Sequence, residues 1–283
     1  MNKISVFGAT GFIGGRFCEM YPEDVIPIPR VQANPNSNDI LYLISTTHNY
    51  NRLSDDVSTN LFVLSQTLQQ LDRDNTFNFV SSWFIYGDAN LPAKETDTDR
   101  MVMGNYSMTK KLAELMVITY CIREGISYRI FRLANVFGKG DKFSKQKNAL
   151  QYLIEEMKQN RDIELKCGGE FYRDYIHVDE VCRMLHEGME KLPVNDIYNV
   201  GSGQRFLFKD LILLAHKVLD SKSVINFLPP KRELTDPFLR KPGEFFIEFP
   251  VRDFYMDVSK LNSYGIKTQG SVYEQLVRMI LDD

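Results

Sequence analysis

The chain has 283 residues, 43% of them hydrophobic and 25% charged, with 34 Lys and Arg against 37 Asp and Glu. A net charge of −3 leaves no basic footprint for nucleic-acid phosphates and argues against a nucleic-acid partner. No uncharged apolar run reaches the roughly 20 residues that cross a bilayer, and the glycine and proline content is that of a globular chain, so a membrane span and a disordered chain are set aside too.

The first apolar run, Ile4 to Phe7, predicts a strand. Gly8-Ala9-Thr10-Gly11-Phe12-Ile13-Gly14 follows it directly and opens a helix predicted over Gly11 to Met20. Glycines at this spacing let backbone N–H groups approach a pyrophosphate at the positive helix end, so Gly8, Thr10, Gly11, Phe12, Ile13 and Gly14 are candidate dinucleotide-binding residues. A second strand, Val25 to Ile28, ends at Pro29 and Arg30. An acidic residue there would accept hydrogen bonds from an unmodified ribose, whereas a guanidinium suits the 2′-phosphate of NADP. Arg30 therefore favours NADP over NAD, with a merely solvated arginine as the alternative.

Only Val31 to Asp39 separate this strand from the next run, Ile40 to Ile44, too few residues for both a helix and a further strand. The second strand should then lie at the sheet edge, where Pro27 and Pro29 are tolerated. A helix over Ser54 to Leu71, a strand over Phe77 to Ser81 and a long helix over Asn105 to Glu124 follow. The last is expected to bury a stripe of Leu112, Leu115, Met116, Ile118, Thr119 and Ile122 and to stop at Gly125. After a strand at Tyr128 to Phe131 the pattern loosens, with helices at Ala149 to Lys158, Val178 to Lys191 and Lys209 to Leu219 and a proline-rich stretch from Pro229 to Pro250. The layout is α/β: a doubly wound parallel sheet of Rossmann type over residues 1–140, to which later segments return, and a smaller, mainly substrate-binding domain over residues 141–283.

Cys18, Cys121, Cys167 and Cys182 are scattered, without metal-ligand spacing, and no secretory cleavage pattern follows Lys3. Reduced thiols, a cytoplasmic location and no metal are expected.

Tyr106 and Lys110 share one face at the start of the long helix, and Ser82 ends the preceding strand on the side where ligands gather in open α/β sheets. A phenol of ordinary pKa about 10 is a poor base at neutral pH, and a neighbouring ammonium favours its ionised form. Tyr106 could then exchange a proton with a substrate hydroxyl while Ser82 hydrogen-bonds the same oxygen. His177 reads as structural, and His48, His186 and His216 lack partners that suggest chemistry.

On these residues the sequence resembles the extended short-chain dehydrogenase/reductase family of nucleotide-sugar epimerases, dehydratases and reductases. The resemblance takes in the glycine loop, Asn60, Ser81-Ser82 through Tyr86-Gly87, Tyr106 to Lys110, Arg132 to Gly138 with Asn135, Arg173 to Asp179, Asn199 to Gly203 and Asp257 to Lys260. It implies that Asn60 lies in the cofactor site, that Asn135 seats a nucleotide-diphosphate sugar, that Arg173 meets its diphosphate, and that the protein pairs as a homodimer through helices such as Asn105 to Glu124. The alternative for Arg173 is an ion pair with Asp174 or Asp179. Arg205, Arg240, Lys241 and Arg252 are further diphosphate candidates.

Two departures narrow the expectation. Where dehydratases of this type carry an Asp-Glu pair after the catalytic Ser or Thr, this chain has Trp83 and Phe84, neither of which serves as an acid or base. Both are instead candidate walls of the sugar pocket, with core packing as the alternative. The short Val31 to Asp39 connection also omits a strand that helps hold adenine, which suits an enzyme that exchanges its cofactor each turnover. The favoured function is NADPH-dependent reduction of a nucleoside-diphosphate 4-keto-(6-deoxy)hexose, with a 4-epimerase and a non-catalytic NAD(P)-binding sensor or scaffold as the alternatives.

Overall fold

The structure, a computed structural model, describes residues 3–46, 52–98, 102, 104–140, 149–229 and 252–282. In the first half run β1 (Ile4–Phe7), α1 (Phe12–Met20), β2 (Val25–Pro27), β3 (Asp39–Tyr42), α2 (Leu53–Val57), a π-turn (Ser58–Phe62), α3 (Val63–Leu68), β4 (Thr76–Ser82), α4 (Asn105–Glu124), β5 (Ser127–Leu133) and β6 (Asn135–Phe137). In the second half follow α5 (Ala149–Lys158), β7 (Ile163–Leu165), β8 (Tyr172–Arg173), β9 (Tyr175–His177), α6 (Val178–Lys191), β10 (Asp196–Val200), β11 (Phe206–Leu207), α7 (Phe208–Val218), β12 (Ile225–Phe227), α8 (Ser259–Ser263) and α9 (Val272–Leu281).

Six strands form one sheet in the order β10-β5-β4-β3-β1-β2, every neighbouring pair parallel. Because side chains alternate across a strand, each strand feeds two cores. Ile4, Val6, Leu41, Val80 and Phe131 point into one core, which Phe17 of α1 and Val181 and Leu185 of α6 share. Phe7, Ile40, Tyr42, Phe77, Phe79 and Ile130 point into the other, against Leu64 of α3 and Ala113 and Val117 of α4. The doubly wound reading holds; β10 completes one edge of the sheet and α6 packs on one of its faces. A third core, including Leu150, Ile154, Leu211, Ile212 and Leu276, joins α5, α7 and α9 in the second half.

β2 lies at the edge, where its Pro27 is tolerated. The residues after it cross back beneath β1, where the buried Ser5 hydroxyl accepts the Asn36 N–H at 2.8 Å and meets the Ser37 hydroxyl at 2.7 Å.

Two sequence expectations are corrected. The helix read as continuous over Ser54 to Leu71 is α2 and α3 joined through the π-turn, which adds a residue to one turn and rotates Asn60 inward. The stripe expected to be buried on α4 instead largely faces out: Leu112, Leu115 and Ile122 are 44%, 60% and 68% exposed and Thr119 is exposed, while Met116 and Ile118 are half-buried. The face turned to the sheet carries Ser107, Lys110, Ala113, Glu114, Val117 and Cys121. Hydropathy periodicity locates an apolar stripe but does not say whether the same chain covers it.

Candidate active site

Strand order reverses between β1 and β3, the place where an open α/β sheet leaves a crevice at its carboxyl edge. The glycine loop enters it from β1. Gly8 has φ +86°, and a Cβ on it would stand 3.1 Å from the Ile44 nitrogen at the end of β3. A Cβ on Gly14 would stand 2.2 Å from the Gly8 carbonyl oxygen, so this close crossing of loop and helix admits no side chain. α1 starts at Phe12 behind an extended Gly11 that supplies no side-chain cap. The partial positive charge of the helix dipole lies at this end of α1, behind the turn formed by Thr10, Gly11, Phe12 and Ile13. Arg30 is exposed just beyond β2, on the same edge of the sheet.

Tyr106 lies in the first turn of α4, in edge contact with Phe84 at 5.6 Å between ring centroids. Burial raises its phenol above the ordinary value, and the nearby Asp56 carboxylate adds to this. Ser45 and Ser82 act in the opposite sense, favouring phenolate. The structure thus brings the predicted pair Ser82 and Tyr106 together, and adds Ser45 and Asp56, which the sequence reading missed. The one signal available was a hydroxyl at the carboxyl end of a central parallel strand.

Lys110, one turn further along α4, is 2% exposed. Its ammonium donates to the Val80 carbonyl at 2.8 Å and lies 4.5 Å from the centre of the Phe79 ring. Burial pushes it down to about 8, against the opposing pull of Glu114. Asn60, 3% exposed, does not point freely into the crevice. Its Oδ1 accepts from the Ser45 hydroxyl at 3.1 Å and the Thr46 N–H at 3.0 Å, and its Nδ2 donates to the hydroxyls of Thr46 at 3.2 Å and Thr109 at 3.0 Å. Asn60 therefore clasps the end of β3 to the first turn of α4.

Trp83 and Phe84 follow Ser82 in a short 3₁₀ turn whose entry is marked by the Phe84 N–H reaching the Ser82 hydroxyl at 3.4 Å. Both rings are half-buried and stacked at 4.1 Å, and Trp83 also packs on Phe254 at 4.6 Å. The Arg173 guanidinium sits 5.4 Å from the Trp83 ring and 4.9 Å from the Phe171 ring, and burial lowers its pKa. The alternative ion pairs for Arg173 are overturned. Asp174 turns its carboxylate the other way, onto Ser202 N and Oγ, Gly203 N and Met256 N, while Asp179 pairs with Arg16 at 2.6 Å. Asn135 donates its backbone N–H and its Nδ2 to the Asp174 carbonyl, at 3.1 and 3.0 Å, beside Arg173. His177 caps α6, its Nδ1 accepting the Asp179 N–H. Arg205 lies exposed over the Tyr172 ring at 5.0 Å, and Arg252 is exposed. Arg240, Lys241 and His48 lie outside the described residues.

The sequence profile of the NAD dependent epimerase/dehydratase family matches residues 45–201, more than half of the chain. The chain belongs to this family. Its members are NAD(P)-dependent nucleotide-sugar epimerases and reductases of the extended short-chain dehydrogenase/reductase type. This family member is 26% identical over 153 residues to the dTDP-4-dehydro-6-deoxyglucose reductase of Escherichia coli, covering 52% of this chain and 46% of the relative. It is 21% identical over 216 residues to a putative UDP-glucose 4-epimerase of Methanocaldococcus jannaschii, covering 76% of this chain and 65% of the relative. The matched stretch thus spans from under half to just under two thirds of these relatives. In fold it is similar to the UDP-glucose 4-epimerase of Thermotoga maritima solved with UDP-glucose, at TM-score 0.84 and 20% identity, covering 99% of this chain and 98% of that one. It is also similar to RMD of Pseudomonas aeruginosa solved with NADPH, at TM-score 0.80 and 21% identity, covering 100% and 98%.

In this epimerase/dehydratase family member a buried polar ladder ties α4 to the second half. Glu114 of α4 pairs with Arg132 of β5 at 2.7 Å, with side chains 6% and 1% exposed. Arg132 also donates to the Tyr86 hydroxyl at 3.1 Å and the Glu95 carbonyl at 2.8 Å. The Tyr86 hydroxyl donates to Asn199 Oδ1 at 2.5 Å, and Asn199 Nδ2 donates to the carbonyls of Ala93 at 3.0 Å and Asp257 at 2.9 Å. Each member of the ladder has partners, which makes such a network rigid where a partly satisfied one would be costly. Among the described residues no helix is long and apolar enough to cross a membrane, and no cluster of His, Cys, Asp and Glu could hold a metal ion.

Proposed function

We propose that this chain is a reductase of a nucleoside-diphosphate 4-keto-6-deoxyhexose that prefers NADPH. The observation that carries the reading is the wall beside the Ser82–Tyr106 pair. Trp83 and Phe84 stand where a dehydratase needs an acid and a base, so the site holds one proton-transfer group, the phenol, and an apolar surface suited to a methyl substituent. A nicotinamide bound at the glycine loop supplies the hydride. Tyr106 gives its phenolic proton to the sugar oxygen as the carbonyl carbon is reduced, and the Ser82 hydroxyl donates to the same oxygen, so the carbonyl becomes an alcohol. Lys110, held by the Val80 carbonyl, contributes positive charge near the resulting phenolate. Asn135 and Arg173 bind the nucleotide-sugar diphosphate, joined by Arg240, and exposed Arg30 takes the 2′-phosphate.

The test begins by denaturing the purified protein and identifying any released nucleotide, then offers a panel of nucleotide sugars with NADH and NADPH. An empty site that consumes NADPH with a 4-keto sugar is the expected result. Tightly held NAD in near-stoichiometric amount, with no net consumption, would instead mark a 4-epimerase.

The protein is further proposed to work as a homodimer. Leu112, Leu115 and Ile122 on α4 lie exposed, and α2 and the π-turn packed beside it expose Leu53, Val57 and Phe62. Two adjacent helices with outward apolar stripes match the four-helix seam that a second copy would complete. Sedimentation should give a dimer, and Leu115→Glu should shift it toward monomer; an unaltered monomeric wild type would refute the pairing.

A further inference from the structure

The Arg173 guanidinium is held by aromatic rings and by no carboxylate. Its Cζ lies 5.4 Å from the centre of the Trp83 ring and 4.9 Å from that of Phe171, both within reach of a cation–π contact. Among the described residues it makes no ion pair, and its fork of N–H donors is taken up only by the Tyr172 carbonyl, at 3.0 Å. The neighbouring carboxylates are engaged elsewhere. Asp174 accepts from Ser202, Gly203 and Met256, Asp179 pairs with Arg16, and exposed Asp253 accepts the Tyr172 N–H at 2.9 Å.

Both rings are anchored. Trp83 stacks on Phe84 at 4.1 Å and packs on Phe254 at 4.6 Å. Phe254 is itself buried and tied by backbone hydrogen bonds to Tyr172 and Asp174, on either side of Arg173. Phe171 stacks at 4.9 Å on Phe208, buried at the start of α7, and its carbonyl accepts the Phe208 N–H at 3.0 Å. One ring thus comes from the end of β4, beside Ser82, and the other from the second half of the chain.

We propose that Trp83 is a positioning residue for substrate binding, an indole locked by Phe84 and Phe254 that fixes the Arg173 guanidinium against Phe171 and leaves its N–H fork to the diphosphate of a nucleotide sugar. This rests on the reading that Arg173 binds the diphosphate and adds the group that holds it in place. A guanidinium is planar and weakly hydrated and stacks on aromatic faces, while its N–H groups point outward in its own plane. A carboxylate partner would occupy those donors and offset the charge that an incoming phosphate meets. An aromatic ring stabilises the cation through its quadrupole and leaves both charge and fork to the ligand. The residue that replaces the acid of a dehydratase therefore also serves the far end of the substrate.

The experiment measures binding by calorimetry on the full chain saturated with NADPH, which fills the cofactor site, with ADP, GDP, CDP, UDP and dTDP as probes. The tightest of these is then titrated into Trp83→Leu, Trp83→Phe, Arg173→Gln and the double variant Trp83→Leu, Arg173→Gln. Loss of the cation–π contact in Trp83→Leu should weaken diphosphate binding by about 3- to 30-fold. Trp83→Phe, which keeps a ring, should recover most of that loss. Once Arg173 is gone, Trp83→Leu should cost no more than about twofold, because the two residues act as one unit. NADPH affinity should stay within a few-fold of wild type in every variant. Trp83→Met, a flexible apolar filler without a ring, should fall with Leu and covers the case in which the Leu variant folds poorly. Unchanged diphosphate binding in Trp83→Leu and Trp83→Met, or losses that multiply in the double variant, would overturn the proposal while Arg173→Gln still shows the arginine to be a diphosphate ligand. Wild-type affinity in Arg173→Gln, or a wild type that takes none of the probes, would overturn the diphosphate reading itself and the proposal with it.

Discussion

Replacing Tyr106 by Phe should lower turnover of a 4-keto nucleotide sugar with NADPH by about 10²- to 10⁴-fold, the usual worth of a positioned general acid. The phenylalanine keeps the edge contact with Phe84 and the helical turn that Asn60 clasps, so NADPH affinity, read by quenching of nicotinamide fluorescence, should stay within a few-fold of wild type. The loss should lie in kcat more than in KM, because the missing proton matters only as the carbonyl oxygen becomes an alcohol. This result also separates an enzyme from a sensor that retains the fold. A variant with unchanged turnover, or a wild type that binds NADPH and reduces nothing, would favour the sensor.

The second large effect concerns stability. Arg132→Met should destabilise the protein by about 3–5 kcal/mol, because it leaves the Glu114 carboxylate buried without its counter-charge. It also removes the donors to Tyr86 and Glu95 that begin the ladder toward Asn199. The double variant Arg132→Met, Glu114→Leu should recover part of that loss, since two well-packed apolar groups no longer require a partner. Denaturant midpoints for the three proteins check this. A single variant within about 1 kcal/mol of wild type would show that Glu114 finds another partner or reaches water.

The fold was largely legible in the residue order. The glycine loop after a short apolar run, the alternation of runs and helices, and the brevity of the Val31 to Asp39 connection together lead to a doubly wound sheet with its second strand at the edge, as observed. Ser82 and Tyr106 could also be paired, because a strand end and the following helix start converge on one edge of such a sheet. Other features were hidden for physical reasons. A π-turn inserts a single residue into an otherwise helical pattern, so periodicity reads straight through it while Asn60 rotates inward. Nothing along the chain marks Glu114 and Arg132 as partners, and only the three-dimensional pairing shows that they form part of the interior. The outward stripe on α4 has the hydropathy of a core face, and nothing along the chain distinguishes a face covered by its own sheet from one left for another molecule. Ser45 escaped notice because serine is common and its hydrogen-bond partner, Asn60, is distant in sequence.

In the proposed reductase a hydride and the Tyr106 proton arrive at the two ends of one sugar carbonyl. The direct measurement is isotope tracing with NADPH deuterated at C4 of the nicotinamide, using a nucleoside-diphosphate 4-keto-6-deoxyhexose as substrate. The expected result is one deuterium on C4 of the product sugar for each NADPH consumed, and loss of both in Tyr106→Phe. A product free of deuterium, formed without net oxidation of NADPH, would contradict it.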